Sequence, residues 1–151
     1  MGSLDYVVFI SHHFHYRTYF IFGSIFKKKE QEELDELIDT IVRIMGYSGR
    51  QSIPSQFYSS YLQPFRNNDQ MYGRIKKRYK EGFSYKTIKE TFEYCENDIK
   101  KYLNQKRANG DFKDVMSELR YVWAIVRNNI ENMLRDKKKK MKNQMHNQNL
   151  I

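Results

Sequence analysis

Between residues 112 and 134 the apolar side chains Phe112, Val115, Met116, Leu119, Val122, Trp123, Val126, Ile130, Met133 and Leu134 recur at intervals of three and four. That period lays one apolar stripe along an α-helix and is incompatible with a strand, whose side chains alternate between two faces. A stripe of this length must be covered by other apolar helices. It therefore commits the chain to a helical bundle before any other residue is considered.

The covering helices are found upstream. Leu34, Leu37, Ile38, Ile41, Val42 and Met45 keep helical spacing from about Lys28 to Met45. Glu32, Glu33, Asp35, Glu36 and Asp39 form an acidic outer face, and Gly46 is placed as the C-terminal stop. After a turn over residues 47–51, Pro54 suits the first turn of a short helix that presents Phe57, Tyr58, Tyr61 and Leu62 and is stopped by Pro64. Asn68 or Asp69 caps a basic helix over residues 70–81, ended by Gly82, and Ser84 caps the next. From Tyr85 to about Lys106 the stripe Ile88, Phe92, Cys95, Ile99, Tyr102 and Leu103 fits either one long helix or two that break near Tyr94.

The two ends read differently. Residues 4–26 carry β-branched and aromatic runs, Tyr6–Ile10 and Thr18–Phe22, around a polar centre, the pattern of a short hairpin, an extended arm or a disordered segment. Asp5, His12, His13, His15 and Arg17 interrupt the apolar run, which argues against a transmembrane helix or a signal peptide. Lys27–Lys29 beside these aromatics is the composition of an interfacial anchor, a weaker reading. Beyond Arg135 the chain becomes Lys137–Lys140, Lys142 and an amide-rich end, which predicts a fraying helix followed by disorder. The expected organisation is an arm at 1–26, a helical domain at 27–136 and a basic tail at 137–151. The expected fold class is all-α, a bundle of about four to six helices.

Composition narrows the function. Lys and Arg outnumber Asp and Glu by 27 to 18, a formal charge of +9, which favours polyanionic partners. The lone Cys95 gives no disulfide framework and fits a reducing cytoplasm. Tyr and Phe are abundant while alanine stands only at Ala108 and Ala124, a bias that resembles AT-rich coding and suits a phage, a mobile element or a low-GC bacterium. No glycine-rich phosphate loop, nucleophile elbow or HExxH pattern is present, and Cys95 lies on an apolar stripe where a thiol is inert, so no enzyme is expected. His12, His13 and His15 lack nearby acid or thiol partners, so no metal and no cofactor is expected either.

The segment Arg78-Tyr79-Lys80-Glu81-Gly82-Phe83-Ser84-Tyr85-Lys86-Thr87-Ile88, followed by Phe92 and by Asp98-Ile99-Lys100-Lys101-Tyr102-Leu103, resembles the helix-turn-helix region of DNA-binding proteins. The resemblance implies that Ile88 and Phe92 seat the second helix while Ile99 and Leu103 hold a third that shows Asn97, Lys100 and Lys101 to a major groove. Lys89 and Glu93 depart from the small and turn-forming residues usual at those places, and Glu93 and Glu96 face phosphate unfavourably. One amphipathic helix with solvated charges accounts for the same residues. The wider basic patch needs no motif: Arg74, Lys76, Lys77, Arg78, Lys80, Lys86, Lys89, Asn97, Lys100 and Lys101, with Lys137, Lys138, Lys139 and Lys140 from the tail, are the candidate nucleic-acid contacts. Tyr72, Tyr79, Tyr85, Tyr94 and Tyr102 are interleaved with these charges and could stack on unpaired bases. The expected function is a small nucleic-acid-binding accessory or regulatory protein, with DNA favoured over RNA. The alternative is a non-enzymatic interaction module that grips a protein partner or a second copy through the aromatic face Phe57–Phe65 or the long helix.

Overall fold

The structure is a computed structural model that describes residues 3–67 and 82–150. Its described elements are helical: α1 (Ser3–Met45), a 3-10 turn (Arg50–Ser52), α2 (Ser55–Phe57), a π turn (Tyr58–Leu62), α3 (Gln63–Asn67), α4 (Tyr85–Tyr94), α5 (Glu96–Ala108) and α6 (Val115–Asn149). The all-α fold expected from the stripe of residues 112–134 is the fold observed. The basic helix expected at residues 70–81 lies outside the described residues.

Two units are distinguished, residues 1–35 and Glu36 onward, and each is described by itself. In the first, the hairpin or extended arm expected over residues 4–26 is corrected: these residues belong to α1. A hairpin needs turn residues between its strands. The centre Ser11-His12-His13-Phe14-His15-Tyr16-Arg17 holds no glycine, proline, asparagine or aspartate to make one. Further along, the Gln31 amide donates to the Asp35 carboxylate at 3.0 Å, one turn apart.

The second unit holds the core. The last turns of α1 bury Leu37, Ile38, Ile41, Ile44 and Met45. The helix ends where Gly46 adopts φ 70°, with Tyr47 N–H donating to Val42 O at 3.0 Å and Gly46 N–H to Arg43 O at 3.3 Å. This is the paired closure that a left-handed residue allows, and it recurs at Gly110 after α5, where Asp111 N–H donates to Lys106 O.

Pro64 does not stop the second helical segment as expected. The chain passes through it into α3 after widening to a π turn over Tyr58–Leu62. Proline lacks the N–H for the α-helical bond and its ring presses on the carbonyl four residues back. An extra residue in the turn relieves both. The aromatic face upstream is thereby turned inward onto Trp123, whose ring meets Phe57 at 6.1 Å, Tyr61 at 6.4 Å and Phe65 at 5.0 Å between centroids.

Ser84 caps α4, its hydroxyl accepting from Thr87 N–H at 3.1 Å. The choice left open near Tyr94 resolves as two helices with one residue between them. Cys95 sits at φ −91°, ψ 0°, so the backbone turns there without leaving its hydrogen-bonded ladder: Cys95 N–H donates to Thr91 O and Ile99 N–H to Cys95 O. Ile88 and Phe92 of α4 and Ile99 and Leu103 of α5 are buried, as the stripe requires.

α6 begins with a capping box in which Asp114 Oδ1 accepts from Ser117 N–H at 2.8 Å and Ser117 Oγ accepts from Asp114 N–H at 3.2 Å. Met116, Leu119, Val122, Trp123, Val126, Ile130 and Met133 are buried along its first five turns. The fraying and disorder expected after Arg135 are corrected, because α6 runs on to Asn149. Lysine, methionine and glutamine are good helix formers and no glycine or proline interrupts them, so an anchored helix propagates at little cost.

Candidate nucleic-acid interface

The candidate cations divide into those the fold uses and those it leaves to solvent. Arg74, Lys76, Lys77, Arg78 and Lys80 lie outside the described residues. Of the rest, Lys89 is engaged: its ammonium lies 3.0 Å from Glu36 of α1, and this carboxylate, despite partial desolvation, holds the ammonium above its usual pKa. Lys100 lies 3.3 Å from Glu96 one turn earlier. Glu96 also pairs with Arg43 of α1, and the two cations, Arg43 foremost, hold its carboxyl below the ordinary carboxylate range. Lys137 reaches Glu90 of α4 at 2.6 Å, and beside it the Tyr94 hydroxyl donates to Asp136 at 2.7 Å. These pairs fasten α4 and α5 to α1 and α6, so that Glu96, which looked unfavourable for phosphate, is occupied by Arg43 and Lys100, while Glu93 stays exposed.

The junction of α4 and α5 differs from the turn usual in a helix-turn-helix. That motif joins its helices by a turn of about three or four residues, which sets the recognition helix across the other. Here Cys95 alone intervenes. Its thiol is buried and desolvation pushes it up to about 11, so it is held as an inert packing group. The outer face of α5 is nonetheless open: Asn97, Lys100 and Lys101 are exposed, as is Tyr102, over whose ring the Lys101 ammonium lies at 5.6 Å. Lys86 is exposed at the start of α4.

The C-terminal part of α6 contrasts with this neutralised surface. Every residue from Lys137 to Leu150 is exposed. No Asp or Glu occurs after Asp136, while Lys137–Lys140 and Lys142 fall within two turns. Lys138, Lys139, Lys140 and Lys142 make no ion pair among the described residues. Like charges four apart on a helix repel, as Lys138 and Lys142 do here, so the segment is poised to gain from an anion.

Two features of the region escaped the sequence. Arg107 makes a two-pronged contact with Glu118, at 2.7 and 3.0 Å, and also donates to Met45 O at 2.9 Å, while the Tyr47 hydroxyl donates to Glu118 at 2.9 Å. Arg107 and Tyr47 hold the Glu118 carboxyl below its ordinary value, and burial first, then Glu118, raise the Tyr47 hydroxyl. The network ties the ends of α1 and α5 to the start of α6. The aromatic face Phe57–Phe65, expected to grip a partner, is largely spent on Trp123 in the core. Within α6, the Asn129 amide donates to Ile125 O at 2.9 Å while Asn128 is exposed.

No helix among the described residues is long and apolar enough to cross a membrane. The described elements and surface define a small all-helical protein with a cationic helical extension. The chain belongs to the family of the SPbeta prophage protein YorH, whose family model matches residues 12–150. It is thus a phage-type protein, in keeping with the AT-rich character of its composition. No curated protein matches it. No solved structure matches it.

Proposed function

We propose that the chain is a non-enzymatic nucleic-acid-binding accessory protein of a phage, acting in the cytoplasm, that holds phosphates with the C-terminal extension of α6. The observation that carries this reading is an acid-free, wholly exposed helix with Lys137–Lys140 and Lys142 in adjacent turns, on a protein of formal charge +9. Lysines on such a helix displace the counterions condensed on a nucleic acid, and this release drives binding without any base contact. The exposed Lys86, Asn97 and Lys101 supply further contacts, and DNA is the preferred ligand. No cofactor takes part.

The test is to titrate labelled duplex DNA, single-stranded DNA and RNA with the full chain at two salt concentrations. Affinity is expected to fall steeply with salt, by about 0.9 in the logarithmic slope for each phosphate neutralised. In the variant K138A/K139A/K140A the slope on duplex DNA is expected to fall by roughly two to three. No binding at low salt, or an unchanged slope in the variant, overturns the reading. Retained capture of a protein by such a non-binding chain would favour the interaction module instead.

A further inference from the structure

The extension of α6 carries more than charge. From Asn143 to Gln148 it presents Asn143, Gln144, Asn147 and Gln148, all exposed, with no partner among the described residues. At about 100° per residue these four amides fall within roughly 140° of the helix circumference. Lys140 lies on the same face one turn earlier, and Lys139 flanks one edge of it. Met141 and Met145, exposed at 55 and 64 %, flank the other. Asparagine is a poor helix former, so packing and propensity alone give no reason for it here.

We propose that this helix enters the major groove of duplex DNA and that its amide face reads A·T base pairs. The inference rests on the nucleic-acid reading above and assigns it a groove and a base preference. A helix with its side chains is about 10–12 Å across, and the B-form major groove is about 12 Å wide. The thirteen residues Lys137–Asn149 span about 20 Å, which is enough to lie along the groove over several base pairs. Asparagine and glutamine side chains each offer a donor and an acceptor, the pair that adenine presents at N6 and N7. An apolar edge such as Met141 and Met145 suits the thymine methyl group. Lysines at the N-terminal end of the extension meet the phosphates at the groove rim, and no acid on the extension opposes the approach.

The experiment measures the affinity of the full chain for two duplexes of equal length, one all A·T and one all G·C, at two salt concentrations. It is repeated with N143A/Q144A/N147A/Q148A and with an A·T duplex in which 7-deazaadenine replaces adenine. Alanine keeps the helix, which circular dichroism verifies. The wild type is expected to prefer the A·T duplex by about tenfold or more. The amide variant closes most of that gap with its salt slope unchanged, and loss of the N7 acceptor weakens wild-type binding. Equal wild-type affinity for both duplexes, a gap that survives in the variant, or indifference to 7-deazaadenine overturns the groove assignment. In those cases persisting salt-dependent binding leaves the proposed function standing. Absence of salt-dependent binding to either duplex ends the groove assignment, and absence of binding to single-stranded DNA and RNA as well ends both.

Discussion

The two halves of α6 are one helix in two environments. From Met116 to Met133 its sequence is dictated by neighbours: Trp123 and Val126 are 2 and 0 % exposed, and the rings of Phe57, Tyr61, Phe65 and Phe92 close over the indole. From Lys137 to Leu150 no residue is buried, and lysine, asparagine and glutamine replace the stripe. In the first half a residue is explained by what it packs against. In the second, Lys137 and its contact with Glu90 apart, nothing in the fold requires the residue that stands there, so its chemistry is available to a ligand. Substitutions in the first half should therefore be read in stability and those in the second in binding.

The largest effect is expected at Trp123. Its ring meets Phe57, Phe65 and Phe92 at 5.0 to 6.5 Å. Trp123→Ala leaves a cavity at the point where α2, α3, α4 and α6 converge and should cost about 3–5 kcal/mol in urea unfolding. Its indole N–H is buried with no partner among the described residues, so Trp123→Phe removes an unsatisfied donor along with part of the ring. The phenylalanine variant should retain most of the stability that alanine loses. Equal losses in the two would mean that the N–H has a partner.

A smaller loss is expected at the Arg107, Glu118 and Tyr47 network. Arg107 is 33 % and Glu118 16 % exposed, so solvent screens part of the pair, and Glu118→Gln should cost about 1–2 kcal/mol. Because Arg107 depresses the Glu118 carboxyl in the folded state, the unfolded chain binds more protons as pH falls below about 4.3. The pair's contribution is thus complete above that value and is lost as pH drops through the lower folded pKa. The urea midpoint of the wild type should decline over that range, and Glu118→Gln should remove part of the slope. A variant with an undiminished slope would assign the acid sensitivity to other carboxylates, such as Glu96 beside Arg43.

These residues also mark where the sequence was legible. Ile41, Phe92, Leu119 and Trp123 were readable as core because burial and helical period reinforce each other at each of them. The break at Cys95 was not, because Phe92, Cys95, Ile99 and Leu103 keep one period through it and a single backbone angle leaves no trace in composition. Arg107 and Glu118 are eleven residues apart on different helices, so their contact appears only once Gly110 has turned the chain. At the candidate interface the lysines were evident, but the neutralisation of Lys89 and Lys100 by Glu36 and Glu96 depends on tertiary neighbours or local rotamers. The tail misled for another reason: charge density argued for disorder, while the anchored helix and the propensities of lysine and glutamine carried it onward.

The smallest effect on stability is expected in the second half of α6, and it is the most informative. K138A/K139A/K140A removes three exposed lysines with no ion-pair partner among the described residues, so the melting temperature should stay within about two degrees of the wild type. Alanine is the better helix former and relieves the repulsion between Lys138 and Lys142, so helicity by circular dichroism should hold or rise slightly. Removing one engaged lysine sharpens the comparison, because Lys137→Ala breaks the contact with Glu90 that holds α4 beside α6. Lys137→Ala should lower the melting temperature more than the triple variant does, although it deletes one charge against three. If the triple variant melted lower, the extension would be packed against the protein and the division of α6 into a structural and a ligand-facing half would fail. If it melts unchanged while its affinity for DNA drops, stability and binding are carried by separate stretches of one continuous helix.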